Sequence, residues 1–555
     1  MAHIKDSKKL FFVTSPRSPL KMIPEVKLLT DHLSGEKWDI RSQNKFANLL
    51  ADSSSFRGNA KNDKGFSARD RITRGPKALG FVDLKPTIEL TEAGMLFINS
   101  DRPSEIFTRQ LLKFQLPSQF HKDKANNYHI KPFLEILRLI YDLEYLTKDE
   151  IRLFGLRLTD FRKYDLISNE IKVFRENRKN IDRNKSNYKI YRKEVFDEIF
   201  KELYKEELNE LEGNTKKQKS FTDTTKQTMN DYADACFRYI RATELVTTNR
   251  QGNYLIVPEK KKKEVEFILT TIERDPGKFL SEKEYKEYLY NPSIPVLAID
   301  NRDELSEILI DFGVAKEDID SKTIRELQDL KHKMTIEKMN ENVQKNVVRL
   351  KTYDEFNEIL EMYKDIKGKN VTDQPLMLEW NTWRAFTMLN DGNIHGNFKV
   401  DIEGMPLSTA GGNSADIECE YKDFKLIVEV TMSSGQKQYE MEGEPVARHL
   451  GDLKLKNNGK DSYCIFIAPK VSEATLAHFY SLHKINIKRY GGKSKIIPIA
   501  LDAFIDMLKC ANENREKVSS DKLKIYLDTI CNKVNDFDDE EQWFMFINKL
   551  CKSWI

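Results

Sequence analysis

Two periodicities alternate along this chain, and the places where one gives way to the other mark its modules. In HIKPFLEILRLIYD the apolar residues Phe133, Ile136, Leu137 and Ile140 fall three or four apart, which predicts a helix with one buried face. Leu146-Thr147 then opens another helix, where Thr147 is placed to cap it and Glu150 to close a capping box. Two further stretches of the first half show a helix leading into a short hairpin. In FSARDRITRGPKALGFVDLKPTIELTEAG, Arg69 to Arg74 has helix-forming character and Gly75-Pro76 breaks it. Phe81 to Leu84 and Thr87 to Leu90 then predict two strands around Lys85-Pro86. In DYADACFRYIRATELVTTNRQGNYLIVP a helix precedes strands around Gln251-Gly252-Asn253. From about Arg302 to Lys367 the chain is charged, nearly glycine-free and helical, with Leu305, Ile308, Leu309 and Phe312 as its apolar stripe.

The last third returns to strands. An amphipathic helix with Leu378, Trp383, Phe386 and Leu389 as its stripe carries Glu379, which reads either as an exposed helix charge or as a carboxylate aimed at a site. Ile417 to Tyr421 and Phe424 to Met432 predict two strands joined by a turn at Lys422-Asp423. A turn centred there sets Asp416 directly opposite Glu429, and opposed side chains of an antiparallel pair share a face with Cβ atoms about 4.5 to 5.5 Å apart. Two carboxylates so close repel each other unless a cation lies between them, and a hard divalent ion suits oxygen ligands. The alternative is a charged, solvent-facing edge strand. Thr431 follows Glu429 by two residues, on the same face. Glu442 and His449 are seven apart, two turns on one face if the segment is helical, although Pro445 is expected to start a helix carrying Arg448 and His449. SYCIFIAP predicts a buried strand, Ser472 to His483 a helix and KIIPIAL another strand, together a mixed sheet with the acidic cluster at one edge.

Charge changes the picture locally rather than globally. Lys and Arg number 91 against 88 Asp and Glu, so a histone-like basic binder is excluded and any nucleic-acid contact rests on where charges cluster. Between Arg57 and Lys77 there are seven basic residues (Arg57, Lys61, Lys64, Arg69, Arg71, Arg74, Lys77) against Asp63 and Asp70. Between Lys172 and Lys193, nine basic residues face two acidic ones, interleaved with Phe174, Tyr188 and Tyr191. Such segments neutralise phosphates, or else form a solvated helix face. Arg69, Arg71 and Arg74 are the better candidates for reading bases, because the guanidinium fork pairs bidentately with guanine. A helix feeding a hairpin is also the pattern of a winged helix-turn-helix, though each such stretch could equally serve a protein contact. The six cysteines have no C-x-x-C spacing, so neither a zinc ribbon nor a disulfide framework is expected. With no signal-peptide core and no bilayer-length apolar run, a soluble, cytoplasmic protein is expected.

Asp416, followed thirteen positions on by Glu429-x-Thr431, resembles the PD-(D/E)xK nuclease motif, with Ala415 where proline is usual and Thr431 where lysine is usual. The chain also resembles the AlwI-type family of type IIS restriction endonucleases and its nicking members. SPRSP (15 to 19), the ARDR region ending in LTEAG, RYIRATELV, NPSIP, EWNTW, AGGNSAD through EVT, and EPVARH followed by FIAP carry the likeness. The resemblance implies a multidomain α+β chain: N-terminal winged-helix recognition subdomains (one over 1–125, two over 126–295), a helical linker over 296–368, and a C-terminal α/β PD-(D/E)xK nuclease domain with a mixed sheet over 369–555. It implies Mg2+-dependent hydrolysis of double-stranded DNA at a fixed distance from a short asymmetric site. Glu379, Asp416, Glu429, Glu442 and His449 fall on the family's catalytic positions, with Asp416, Glu429 and Glu379 holding the metal. The expected DNA contacts are Arg17, Arg57, Arg69, Arg71, Arg74, Lys77, Arg175, Arg178 and Lys179. One such site cuts one strand at a time, so double-strand cleavage calls for a transient homodimer or a second catalytic subunit. A nicking enzyme is the nearest alternative, and a winged-helix regulator without catalysis is the alternative from another class.

Overall fold

The structure is a computed structural model that describes residues 7–53, 64–121, 127–181, 185–389, 391–411, 414–457 and 461–555. It divides into two compact units, Met1–Asn249 with Asn253–Ile336, and Arg250–Gly252 with Glu337–Ile555. Among the described residues no helix is long and apolar enough to cross a membrane.

In the first unit, helix α1 (Lys64–Arg74) stops just before Gly75-Pro76, and strands β1 (Val82–Asp83) and β2 (Glu89–Leu90) pair antiparallel. Helix α2 (Glu92–Asn99) explains the sequence LTEAG. Thr91 caps it by accepting from the Gly94 N–H at 2.9 Å while donating to the Gly80 carbonyl at 2.6 Å. A Cβ on Gly94 would lie 1.9 Å from the Phe81 carbonyl oxygen, so only glycine lets the helix rest on the strand's backbone.

Helix α3 (Pro132–Asp142) buries Phe133, Ile136, Leu137 and Ile140 as the spacing predicts. Burial of each such side chain stabilises the fold by about 1.5–3 kcal/mol. Strand β3 (Leu146–Thr147) leads into helix α4 (Lys148–Leu153), whose capping box is formed: the Glu150 N–H donates to Thr147 at 3.0 Å and the Thr147 N–H to Glu150 at 2.8 Å. After helix α5 (Tyr164–Lys179) and two further helices (Lys185–Leu203 and Lys205–Glu210) comes helix α6 (Thr215–Arg241), which packs on α4, and then strands β4 (Thr247–Thr248) and β5 (Tyr254–Ile256). Here the structure departs from expectation. The stretch that begins at His129 and the one that begins at Asp231 are not separate units, because β3 pairs with β5 and the three strands form one sheet in the order β3-β5-β4.

The charged stretch from 302 is helical throughout, comprising helices α7 (Arg302–Asp311), α8 (Ile324–Lys351) and α9 (Phe356–Lys367), joined by a short helix at Lys316–Asp320. It is not a free connector. Leu305, Leu309 and Leu327 join the core of the first unit, Leu350 and Ile359 the core of the second, and the boundary falls inside α8.

The second unit is built on a five-stranded mixed sheet. Helix α10 (Gln374–Leu389) leads to strand β6 (Asn393–Gly396), then β7 (Ile417–Glu420) and β8 (Phe424–Val430). Helix α11 (Gln436–Lys456), strand β9 (Asp461–Ala468), helix α12 (Glu473–Lys484) and strand β10 (Ile496–Ala500) follow. The order is β10-β9-β8-β7-β6; β8, β9 and β10 run parallel, and β7 is antiparallel to both neighbours. Residues 462–468 of β9 are all buried, as a parallel strand covered on both faces requires. Three expectations are corrected. The acidic hairpin is not at the edge, because β6 covers β7. The helix bearing Glu379 is not amphipathic, because Leu376 to Leu389 are buried on every side. Nor does Pro445 start a helix: it lies inside α11, whose packing on β9 and α12 holds the helix together across the hydrogen bond that proline cannot donate.

Candidate active site

The turn at Lys422-Asp423 sets the register, which runs from Lys425 opposite Glu420 to Val428 opposite Ile417. One step further along the same ladder brings Asp416 across from Glu429, as the position of the turn predicts. The Val430 N–H donates to Asp416 Oδ2 at 2.8 Å. On the other side, Asn397 anchors the backbone: its N–H donates to the Asp416 carbonyl at 2.9 Å and its side-chain amide to the Ala415 carbonyl at 2.8 Å. Asp416 is half-buried and Glu429 buried.

Helices bring in the rest. Glu379 projects from α10 with 7% of its surface exposed, which rules out the exposed-charge reading, and its Oε2 accepts the Ala410 N–H at 3.0 Å. α10 itself is held by Arg384, whose guanidinium donates to Glu355 at 2.9 Å, Glu358 at 2.8 Å and Asn381 at 3.2 Å. Glu442 and His449 share the unbroken α11, and His449 Nδ1 lies 2.7 Å from Glu429 Oε1. Thr431 is buried just past β8, with its hydroxyl accepting the Ser433 N–H at 3.0 Å. Gln438 fixes the start of α11 to the loop after β9: its amide donates to the Ser433 and Lys470 carbonyls and its oxygen accepts the Ser472 N–H. Asn397, Gln438 and Arg384 act through partners distant in sequence, so no local pattern signals them.

The electrostatics follow from this crowding. Burial pushes Glu379 well above the usual carboxylate range, and the charge of Asp416 adds to it while the Ala410 N–H opposes it. Asp416 is raised by burial, then by Glu429 and Glu442, against the Val430 N–H. Glu429 is raised by burial and then by Glu442, against the Asp416 backbone N–H and the charge of Arg448. Such carboxylates take up protons or a cation, and their hard oxygens suit magnesium or calcium. The donor chemistry therefore fits a divalent ion. It is a donor set rather than a finished cage: among the described residues no group of three or more His, Cys, Asp or Glu is arranged to hold a metal. Asp416 and Glu379 each spend an oxygen on a backbone N–H, and Glu429 spends one on His449.

The basic residues of the first unit divide into two groups. Arg71 pairs with the buried Glu25 and is pushed down to about 10 by burial. Lys77 is buried, with its ammonium 5.3 Å from the centre of the Phe120 ring. Arg74 pairs with Asp70 and donates to Thr14 at 2.9 Å. Arg175 is bound to Glu150 at 2.7 Å, donates to the Leu143 and Tyr145 carbonyls, and stacks on Tyr145. Arg17, Arg178 and Lys179 are exposed; Arg178 lies over the Tyr188 ring and Lys179 pairs with Glu176. Arg69 is half-buried and donates to Gln43 at 3.2 Å. Arg57 lies outside the described residues.

The family model of the AlwI restriction endonucleases matches residues 77–507. Among solved structures, the chain is similar to the small subunit R.BspD6I2 of the heterodimeric restriction endonuclease R.BspD6I, with 28% identity over 35% of this chain and 98% of that one and a TM-score of 0.31. It is also similar to the BpuJ1 endonuclease binding domain in complex with pyrene- and phenanthrene-modified DNA, with 15% identity over 51% of this chain and 97% of that one and a TM-score of 0.34. No curated protein matches the sequence.

Proposed function

The chain belongs to the AlwI restriction endonuclease family, and from that premise we propose that it is a type IIS DNA endonuclease. On this reading the first unit reads a short asymmetric site in duplex DNA, and the second hydrolyses the backbone a fixed distance away. The observation that carries the cleavage half is the β7–β8 register, which sets Asp416 across from Glu429 in a buried setting where the charge of Glu442 raises the proton affinity of both. Asp416 and Glu429 would hold Mg2+ from the two strands, and Glu379 from α10. When bound, the ion polarises the scissile phosphate and lowers the pKa of a coordinated water. Glu442 positions the attacking water and His449 fixes the rotamer of Glu429. The order α3-β3-α4-α6-β4-β5, with β5 between β3 and β4, supports a single winged-helix unit whose recognition helix is α6 and whose wing is the β4–β5 hairpin. The 64–99 region supplies a second such element. On this reading the recognition half has two winged-helix subdomains rather than three. Arg17, Arg69, Arg178 and Lys179 are its candidate DNA contacts, whereas Arg71, Arg74, Lys77 and Arg175 are committed to protein partners and serve as scaffold.

One chain carries one such site and breaks one strand, so double-strand cleavage requires a second copy or a partner subunit, and a chain acting alone nicks. Incubating the purified protein with plasmid and Mg2+, against an EDTA control, tests the reading. Discrete linear or nicked products that vanish in EDTA and in Asp416→Ala support it. A sequence-specific mobility shift without strand breaks in Mg2+ would instead identify a DNA-binding regulator.

A further inference from the structure

A phosphodiester entering this site brings negative charge up to four carboxylates, so a cation of the protein's own, besides the bound ion, is suited to receive the phosphate oxygens. One basic side chain whose charge reaches the cluster from α11 is that of Arg448. It precedes His449 on α11, and His449 is hydrogen-bonded to Glu429. Its side chain is 15% exposed, and its ion pair among the described residues, to Glu444 one turn earlier, is a single 3.4 Å approach from Nε to a half-exposed carboxylate. Among the described residues no hydrogen bond engages the two terminal nitrogens of its guanidinium. The contrast with Arg384 in the same unit is direct: 1% exposed, that guanidinium donates from both terminal nitrogens, to Glu355, Glu358 and Asn381. A sheltered guanidinium is normally matched by acceptors on the protein. The positive charge of Arg448 also acts on Glu429, partly offsetting the effects of burial and of Glu442.

We propose that Arg448 is the phosphate-binding residue of the site, donating its terminal N–H groups to the non-bridging oxygens of the scissile phosphate. The inference rests on the cleavage reading above and assigns the anion-recognition role that the carboxylates cannot fill. In hydrolysis a water oxygen bonds to phosphorus, losing a proton to a base, while the bond from phosphorus to the leaving sugar oxygen breaks and that oxygen gains a proton. Arg448 neither gives up nor accepts a proton in this sequence. Its planar fork matches two phosphate oxygens and strengthens its hold as charge builds on them.

The test is single-turnover cleavage, at saturating enzyme and Mg2+, of a duplex carrying the site mapped from plasmid products, with binding to the same duplex measured in EDTA. Arg448→Ala is expected to lower the cleavage rate by about 10²- to 10³-fold, the loss typical of removing one donor to a developing oxyanion. Binding in EDTA stays at the wild-type level, and added guanidinium restores part of the rate. Arg448→Lys retains an intermediate rate. Glu444→Gln, which removes the charge that pairs with Arg448 on the helix face, cuts within threefold of wild type. An Arg448→Ala rate within threefold of wild type overturns the proposal, as does a loss matched equally by Glu444→Gln. Should Arg448→Ala fail to fold, Arg448→Lys decides, and a wild-type rate there also overturns it. Asp416→Asn in parallel separates the two levels. If it is inactive while Arg448→Ala is active, this inference alone fails; if it cuts normally, the cleavage reading fails and this inference with it.

Discussion

Charged residues are buried in the first unit and along the β7–β8 hairpin of the second, but in opposite company. In the first unit several are matched: Arg175 with Glu150, Arg71 with Glu25, Arg109 with Asp300, and Lys261 and Lys331 with Glu264. Along the β7–β8 hairpin of the second unit like meets like: Asp416 and Glu429 raise the proton affinity of Glu379, Glu429 and Glu442 that of Asp416, and Glu442 that of Glu429. A matched pair lowers the energy of the fold in which it sits, whereas a cluster of one sign raises it. The matched arginines are therefore read as scaffold, and the unmatched carboxylates as a place held for something that arrives.

That contrast can be broken most sharply by removing charge from each side. Asp416→Ala or Glu429→Ala is expected to reduce cleavage by at least about three orders of magnitude, since metal-borne catalysis is lost outright. Binding to the recognition site, followed by mobility shift in EDTA, stays unchanged. A parallel loss of binding would mean that the cluster is structural.

Next in size, Arg175→Ala leaves Glu150, whose side chain is 1% exposed, without its cation, and is expected to cost about 3–5 kcal/mol in thermal or denaturant unfolding. Asp416→Asn should do the reverse. With divalent cations removed, the variant unfolds at a higher temperature than wild type because one buried like charge is gone. pH acts on the same groups. The folded-state affinities of Glu379, Asp416 and Glu429 for protons are raised, so their contribution to stability is fully present below the ordinary carboxylate range of about 4. It is lost as pH rises through the elevated folded values. Cation-free wild type therefore loses stability on going from acid toward neutral pH, less steeply in Asp416→Asn, and a pH series of melting temperatures checks both slopes.

The smallest expected effect lies on the exposed basic face of α5. The double variant Arg178→Ala, Lys179→Ala weakens binding to any duplex, and the salt dependence of binding becomes shallower by about 1 to 2 in slope. Unfolding changes by less than about 0.5 kcal/mol. If sequence discrimination drops as well, these side chains read bases rather than phosphates.

The parts of this arrangement that were legible in the sequence are those set by neighbours. The register of β7 with β8 follows from a tight turn between two apolar strands, and the capping box at Thr147 and Glu150 follows from their three-residue spacing. Long-range partners decide what was not legible. β3 joins the β4–β5 hairpin across several intervening helices, so two apparent repeats become one sheet. Arg71 looked free to read DNA until Glu25, on another helix, claimed it. Glu379 sits in a helix whose periodicity marks one apolar stripe, yet the helix is enclosed on all sides, a burial that periodicity does not encode. Pro445 is a helix breaker by local rule, and tertiary packing keeps α11 continuous through it, which is what sets Glu442 and His449 on one helix.

The central claim is that Asp416 and Glu429 together hold a divalent cation. Titration calorimetry of the full chain with Mg2+, in the absence of DNA, measures this directly. The account predicts a binding isotherm in wild type that is abolished in both Asp416→Asn and Glu429→Gln while the variants stay folded. Equal affinity in wild type and either variant would contradict it.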